Sequence, residues 1–371
     1  RLVSIRDMGK LAFAHLQDGS GRIQLFFRKD LVGAENYTVL VKDYDLGDFV
    51  SAEGNIFTTK TGEITLEVHQ FGLLAKTLSP LPEKWHGRKD TETRYRQRYL
   101  DLLSNEEART IFIVRTKIVS AMRAYLDAHG FMEVETPTLQ PLYGGAFAEP
   151  FVTHHNKLDR EMYLRIATEL YLKRLIVGGY ERVYEIGKNF RNEGIDATHN
   201  PEFTMMECYQ AYADYNTMMT LVEEMFAACA QAAIGKLKFT YQGNEIDLTP
   251  PWRRVTMQDI ILQETQIDIY ASADLQSLRA SIAELGLKVE HQATWGKTVD
   301  EVMKTYVEPK LIQPTFLYDY PQEISPLAKK KPDQEGIVER FEPFIGGFEV
   351  GNAFTELNDP IEQRERFQKQ M

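Results

Sequence analysis

Residues 182–212 read RVYEIGKNFRNEGIDATHNPEFTMMECYQAY, and this stretch decides how the rest of the chain is interpreted. It contains two runs typical of β-strands, Arg182–Phe190 and Glu202–Ala211, joined by a polar loop that carries Arg191. Because side chains alternate between the two faces of a strand, one face of the second run should carry Phe203, Met205, Glu207 and Tyr209. An arginine can neutralise phosphate or carboxylate, an aromatic ring can stack on a base, and a carboxylate can hold a cation. The stretch therefore predicts a site for a nucleotide and a small cationic molecule.

The same pattern also fits a surface hairpin with a half-buried aromatic face, since aromatic residues of strands usually belong to the core. The exact amino-acid sequence of this stretch distinguishes the ligand site from the surface hairpin. Residues 190–194, FRNEG, and residues 199–215, HNPEFTMMECYQAYADY, closely resemble motif 2 of class II aminoacyl-tRNA synthetases. The form is that of the lysyl-tRNA synthetases, which favours the ligand site over the plain hairpin.

Length and composition limit the possible classes of protein. The chain has 371 residues, enough for two or three domains, and its 43% of hydrophobic residues can form a sizeable core. No apolar run approaches the roughly 20 residues that span a bilayer, so we expect no membrane partner. The net charge of −11 argues against a general polyanion binder, and a nucleic-acid partner would need local basic patches. Cys208 and Cys229 have neither zinc spacing nor a disulfide pattern, which favours a reducing, cytoplasmic location.

Residues 1–76 are predicted to form a small β-barrel. Leu2–Arg6, Leu11–Gln17 and Arg22–Arg28 form three short strands, a helical turn follows at Asn36–Asp43, and a hairpin crosses the TKTG turn at residues 59–62. Three strands, a helix and two further strands are the order of an OB-fold.

The outer face of this barrel is a candidate RNA-binding platform. It would expose Arg6, Phe13, Gln24 and Phe26, which could stack on unpaired bases and read them with a side-chain amide. By pattern alone, the two phenylalanines could equally belong to the barrel core. Lysyl-tRNA synthetases place an OB-fold anticodon-binding domain at this point, and the resemblance implies that these residues contact tRNA(Lys).

Residues 77–107 are predicted to be a basic linker. Its charges either face phosphates or are simply solvated, and they are Lys84, His86, Arg88, Lys89, Arg94, Arg96 and Arg98. The helix Thr110–His129, the strand Met132–Thr136 and Pro137 follow. As a bare pattern this is an ordinary helix–strand unit, but it resembles motif 1 of class II synthetases, which implies a homodimer.

A second hairpin is predicted around Gly346 and Gly347, between the strands Phe341–Ile345 and Phe348–Gly351. Its register puts Glu342 and Glu349 on one face, as either a strained like-charge pair or a site for a divalent cation. Residues 349–360, EVGNAFTELNDP, match the lysyl family closely, and the resemblance implies Mg²⁺ at this pair.

The resemblance also implies further contacts. A helix Glu169–Val177, which Thr168 can cap, would place Glu169 where it suits the helix dipole. This local explanation is sufficient, but the family reading adds a contact with the substrate's α-amino group. The implied lysine-binding residues are Gly145, Glu169, Arg191, Glu207, Tyr209, Asn352 and Glu356, and the implied ATP-binding residues are Arg191, Glu193, His199, Asn200, Phe203, Glu342 and Glu349.

The predicted fold is therefore α+β, with an N-terminal OB-fold and a class II catalytic domain at residues 108–371 on an antiparallel sheet with flanking helices. The implied reaction joins L-lysine to ATP as lysyl-adenylate and then transfers lysine to tRNA(Lys), with Arg191 as the catalytic residue. Glu207 and Glu356 would supply two mutually repelling carboxylates for one ammonium group.

Three alternatives stay open at this point. One is an aspartyl or asparaginyl synthetase, against which Glu207 and Glu356 argue because they suit a cationic substrate. Another is a lysyl-like enzyme that modifies a protein instead of tRNA, although relatives of that kind lack the OB-fold predicted here. The third is an inactive tRNA-binding or scaffold protein, against which the presence of Arg191, Phe203, Glu342 and Glu349 together argues. The sequence ends at Met371, before the glycine-rich motif 3, so we expect it to be a fragment of a longer protein.

Overall fold

The strands and helices fall into two units, Arg1–Phe112 and Ile113–Met371, in the computed structural model. The structure describes residues 1–79, 91–196, 198–272 and 274–370. The boundary between the units lies a few residues beyond the predicted start of the catalytic domain at residue 108. The predicted linker residues Pro80, Pro82, Lys84, His86, Arg88 and Lys89 lie outside the described residues.

The first unit begins with a sheet and two short helices. In chain order these are β1 (Leu2–Asp7), β2 (Leu11–Gln17), β3 (Arg22–Arg28), α1 (Lys29–Val32), α2 (Ala34–Asp43), β4 (Phe49–Thr58) and β5 (Ile64–Ala75). The strand order is β1-β2-β3-β5-β4, in which β3 and β5 are parallel and the other neighbours antiparallel. Leu25 and Phe27 of β3 pack in the core with Leu40 of α2, as the alternation of β3 predicts. This topology confirms the predicted OB-fold.

The described part of the predicted linker is helical. Helices α3 (Thr91–Arg96) and α4 (Arg98–Ser104) lead into α5 (Glu106–Ala128). The buried carboxylate of Asp101 binds Arg94 at 2.9 Å and Arg98 at 2.5 Å. Two of the arginines predicted to face phosphates therefore have a carboxylate partner within the chain.

The second unit contains the remaining elements. They are β6 (Met132–Glu133), β7 (Leu139–Gln140), β8 (Val152–His155), β9 (Arg160–Leu164), α6 (Glu169–Val177), β10 (Arg182–Phe190), β11 (Glu202–Gln210), α7 (Tyr215–Ile234), β12 (Lys238–Tyr241), β13 (Asn244–Asp247), β14 (Arg253–Thr256), α8 (Met257–Thr265), α9 (Leu275–Glu284), α10 (Trp295–Val302), β15 (Thr315–Pro321), β16 (Ile337–Ile345), β17 (Phe348–Glu349), β18 (Ala353–Phe354) and α11 (Pro360–Gln370). Short π- and 3₁₀-helical turns lie at Met303–Val307, Glu308–Lys310 and Gln322–Ile324.

Two sheets of this unit carry the predicted site. One has the order β11-β10-β6, and the other the order β14-β15-β16-β17 with β18 also paired to β16. Most pairs are antiparallel, although β6 runs parallel to β10 and β14 parallel to β15. Tyr184 of β10 is fully buried among residues of α5 and α7, which fixes the face that β10 presents to the core. The predicted α+β class with an antiparallel sheet and flanking helices is confirmed.

Candidate functional site

Arg191 and Phe203 lie at the centre of the predicted nucleotide site. Phe203 pairs across the β10–β11 register with Asn189, and the guanidinium carbon of Arg191 lies 5.1 Å from the centroid of the Phe203 ring. The ring attracts the cation at this distance and orients it. Within the described parts of the chain, the Nε atom of Arg191 is buried and has no hydrogen-bond partner. Since an unpaired buried donor costs free energy, an anionic ligand that accepts from it would be stabilised.

The loop between β10 and β11 is held by its own side chains. The carboxylate of Asp196 accepts hydrogen bonds from the backbone N–H groups of Thr198 and His199, and it lies 2.8 Å from Nδ1 of His199. These bonds, that of Thr198 first, lower the pKa of Asp196. Asn200 donates to the carbonyl of Glu202 at 2.9 Å. The structure therefore places His199 and Asn200 on an exposed, internally bonded loop, where their contacts with ATP stay a prediction.

Glu193 is exposed and contacts Glu149, which no sequence pattern had predicted to lie near it. Its Oε1 accepts from the backbone N–H of Glu149 at 3.4 Å, and the carbonyl of Glu149 accepts from the backbone of Asn192 at 2.8 Å. These two bonds bring the chain before β8 to the entrance of the site.

A group of acidic side chains converges around Tyr209. Glu207 and Tyr209 come from β11, Glu169 begins α6, and Glu356 follows β18. Burial first, and then the charges of Glu169, Glu207 and Glu356, raise the pKa of Tyr209 well above its ordinary value. Burial also raises the pKa of Glu207, whose carboxylate accepts from the backbone N–H of Thr168 at 3.1 Å and from the Tyr209 hydroxyl at 3.4 Å. The arrangement can bind a cationic group.

Lys173 lies between two of these carboxylates, and the sequence reasoning missed it. Its Nζ is 2.6 Å from Glu169 and 2.9 Å from Glu356. Burial alone would lower the pKa of Lys173, but the charges of the two glutamates outweigh burial and raise it. The spacing of four residues between Glu169 and Lys173 on a helix was the available signal, since such residues are neighbours on the helix surface.

Gly145 lies against Glu169 and Ala167 at the edge of this pocket, and its contact with lysine stays a prediction. Its φ is +88°, and an added Cβ would lie 2.9 Å from the Cβ of Glu169 and 3.2 Å from that of Ala167. Only glycine fits this backbone conformation and this close approach without strain.

The second hairpin has the predicted register, with Phe344 opposite Glu349 and a turn at Gly346 and Gly347, both at positive φ. Glu342 accepts from the Tyr320 hydroxyl and from Arg340, each at 2.6 Å. Partial desolvation, followed by the charge of Glu342, raises the pKa of Glu349 to about 7.

Asn352 is attached to the same network. Arg340 donates to the side-chain oxygen of Asn352 at 3.0 Å while it binds Glu342. The structure thus groups Asn352 with the carboxylate pair through Arg340, and its contact with lysine stays a prediction. Among the described residues, no group of three or more His, Cys, Asp or Glu side chains could hold a metal ion by itself.

Two details of the predicted pocket are wrong. The Thr168 side chain does not cap α6; its backbone N–H donates to Glu207 instead. Glu207 and Glu356 were also predicted to repel each other, but Glu356 instead binds Lys173. The pKa of Glu207 is raised first by burial and then by the like charge of Glu169.

On the OB-fold, the register aligns Arg6 with Phe13 and Phe13 with Phe26 across β1, β2 and β3. The two phenylalanine rings stack with centroids 4.9 Å apart and are half-buried, outside the buried core cluster. Gln24 donates to Glu63 and accepts from Thr65, both at 2.8 Å. Its amide is therefore held in one orientation.

Comparisons with known proteins match both units. A family described as tRNA synthetases class II (D, K and N) matches residues 90–371, and one described as an OB-fold nucleic acid binding domain matches residues 1–74.

Curated relatives resemble the chain over nearly all of its length. The lysine–tRNA ligase of Roseiflexus sp. (strain RS-1) is 57% identical over 98% of this chain and 75% of its own. That of Chloroflexus aurantiacus is 56% identical over 99% of this chain and 74% of its own, and that of Moorella thermoacetica is 55% identical over 100% and 76%.

Proposed function

The chain belongs to the class II tRNA synthetases of the D, K and N type, and we infer that it activates L-lysine with ATP and transfers lysine to tRNA(Lys). The pocket around Tyr209 carries this inference, because Glu169, Glu207 and Glu356 converge there from three separate segments. A pocket for aspartate or asparagine would need basic or amide groups at its far end. The lysine–tRNA ligase relatives favour the same conclusion.

In the activation step, a carboxylate oxygen of lysine attacks the α-phosphorus of ATP, the bond to the β-phosphate oxygen breaks, and pyrophosphate leaves with the electron pair. The approach of two anions is the main obstacle, so electrostatic stabilisation is what the site must supply. Arg191 suits this role, since its buried Nε–H has no acceptor within the described chain. In the second step, a hydroxyl of the terminal ribose of tRNA attacks the carbonyl carbon, and AMP leaves.

Mg²⁺ fits the pair Glu342 and Glu349. Carboxylate oxygens are ligands that Mg²⁺ prefers together with substrate phosphates, and the pKa of Glu349 is raised by burial and by the like charge of Glu342, which a bound cation would offset. A bound ion would neutralise the triphosphate. Tyr320 and Arg340 orient Glu342 from the side.

The remaining contacts are proposed on the same basis. Phe203 would stack on adenine, with Glu193, His199 and Asn200 near the nucleotide, while Gly145 and Asn352 would complete the lysine pocket. On the OB-fold, the aligned Arg6, Phe13 and Phe26 and the oriented Gln24 would contact the anticodon.

A homodimer is also proposed. The helix α5 and the strand β6 form the helix–strand unit whose sequence resembles motif 1, and Ile111 of this helix is 65% exposed. Sedimentation of the full-length protein at micromolar concentration tests it, and a clean monomer would contradict it. A cytoplasmic location stays a prediction; Cys208 and Cys229 are not joined by a disulfide, and among the described residues no helix is long and apolar enough to cross a membrane.

The function is tested by ATP–pyrophosphate exchange with the full-length protein. Exchange should require lysine, and aspartate or asparagine should not replace it. Exchange that depends on aspartate, or none with lysine under conditions where the protein is folded, would refute the lysine assignment.

A further inference from the structure

We propose that Lys173 is a positioning residue of the amino-acid pocket, which joins Glu169 to Glu356 and gives the pocket the negative charge that balances the two ammonium groups of lysine. The proposal rests on the proposed function and assigns a role to a side chain that is no part of the predicted lysine-binding set.

The contacts of Lys173 carry the argument. Its ammonium lies 2.6 Å from Glu169 on its own helix and 2.9 Å from Glu356, which is far away in sequence. It also lies 5.9 Å from the ring centroid of Tyr209 and 5.7 Å from that of Phe354. Three of these four neighbours belong to the predicted lysine pocket. The side chains of Lys173 and Glu169 are 24% and 11% exposed, so this contact lies largely away from water, whereas Glu356 is 41% exposed.

Charge balance gives the reason for such a cation. The carboxylates of Glu169, Glu207 and Glu356 carry three negative charges, and Lys173 leaves the group with a formal charge of minus two. Free lysine carries two ammonium groups, while its carboxylate would bind Arg191. Without Lys173, three carboxylates would face two ammonium groups, and one of the carboxylates would tend to take up a proton.

The loss of the Lys173 cation should act mainly on the carboxylate of Glu356. Burial raises its pKa and Lys173 lowers it, so the loss of Lys173 should raise that pKa further. A protonated Glu356 cannot bind an ammonium group as a carboxylate does. Lysine binding should then be lost at a higher pH than in the wild type, because binding needs the deprotonated form.

The main test compares Lys173→Met with the wild type in lysine-dependent exchange by the full-length protein. Losing one charged hydrogen-bond partner typically corresponds to about a ten- to hundredfold change, so the KM for lysine should rise by this factor while the KM for ATP stays nearly constant. The fall of kcat/KM for lysine at low pH, here called the acid limb, should move to higher pH. Lys173→Arg keeps the charge and should restore the acid limb.

Two controls separate positioning from general stability. Lys238→Met removes an exposed lysine that binds Asp247 at 2.9 Å in the β12–β13 hairpin, and it should change neither KM. The double variant Lys173→Met with Glu356→Gln removes the titrating group together with its cation. It should therefore lose the shift of the acid limb, and it is the alternative measurement if Lys173→Met alone does not fold.

The inference is overturned if Lys173→Met keeps its KM for lysine and its acid limb, or if both KM values rise equally. It is also overturned if the double variant retains the shift. Wild-type exchange that does not respond to lysine would instead refute the proposed function, and the two failures are distinguishable.

Discussion

Arg191 is the single side chain on which the proposed chemistry depends most. It packs against the ring of Phe203 and leaves a buried Nε–H without an acceptor in the described chain. A residue that only stabilised the fold would be expected to have this donor bonded. The unpaired donor is therefore better explained by a ligand that carries negative charge.

We expect Arg191→Ala to reduce lysine-dependent exchange by about a hundred- to a thousandfold, as loss of one group that stabilises developing charge typically does. The melting temperature should change little, because no hydrogen bond of the Nε atom is lost. Arg191→Lys keeps the charge but not the planar fork, and should recover only part of the activity. Exchange within about threefold of the wild type in Arg191→Ala would exclude the role.

Glu349 offers a prediction about pH. Its pKa is raised to about 7 by partial desolvation and the charge of Glu342. Since Mg²⁺ binds the deprotonated carboxylate, protons compete with the ion below pH 7 and not above it. The Mg²⁺ concentration for half-maximal exchange should therefore rise by up to about tenfold for each pH unit below 7. Glu349→Gln should need more Mg²⁺ at every pH but lose this dependence, and an unchanged slope in the variant would assign the titration to another group.

Among the elements, β10 is fixed to its neighbours by a buried ion pair between Arg165 and Glu185. Arg165 binds Glu185 of β10 at 2.5 Å, and it also donates to the carbonyls of Lys188 and Thr136. Both partners are almost fully buried. These contacts hold β10, the first strand of the β10–β11 hairpin. Gly187 leaves room for the Arg165 guanidinium, because an added Cβ at this position would lie 2.2 Å from a guanidinium nitrogen.

Arg165→Met should destabilise the second unit by about 3–5 kcal/mol, because it leaves the Glu185 carboxylate buried without its cation. The combined variant Arg165→Met and Glu185→Gln should be less destabilised than the single variant, since no uncompensated charge remains. Urea unfolding followed by circular dichroism measures both. Equal losses in the two variants would mean that packing, and not charge, accounts for the effect.

The elements also show what the sequence could predict. The bounds of β10 and of α6 agree with the prediction, because strand alternation and the glycines after Val177 are local signals. The helix predicted from Thr110 begins four residues earlier at Glu106, where the side chain of Asn105 accepts from the backbone N–H groups of Glu107 and Ala108. That asparagine is a local signal for a helix N-terminus at this position.

Other parts of the site had no local signal. The strand predicted at Met132–Thr136 covers only Met132–Glu133, with one further backbone bond from Val134 to Tyr184 of β10, and Thr136 donates to Glu185 from both its backbone and its hydroxyl. Tyr320 reaches Glu342 from the neighbouring strand β15. Such contacts depend on how distant segments pack, so the order of residues does not reveal them.

At the scale of the whole molecule, the two units have separate hydrophobic cores. The core of the OB-fold is formed by residues between Leu2 and Val68, and the main clusters of the second unit by residues of that unit. A substitution on the outer face of the OB-fold should therefore leave the chemistry of the second unit intact. Anticodon binding and lysine activation should be separable by mutation.

We expect Phe13→Ala to weaken charging of tRNA(Lys) while leaving lysine-dependent exchange unchanged. Base–aromatic stacking typically contributes about 1–3 kcal/mol per base, so kcat/KM for tRNA should fall by about five- to 150-fold. The matched control is Phe27→Ala, since Phe27 is 1% exposed and packs edge-on against Phe71 within the core. Its loss should cost about 3–5 kcal/mol of folding free energy and lower the melting temperature of the OB-fold. If Phe13→Ala instead behaves like Phe27→Ala, or reduces exchange as much as charging, the Phe13 ring is part of the barrel's packing and the platform is wrong.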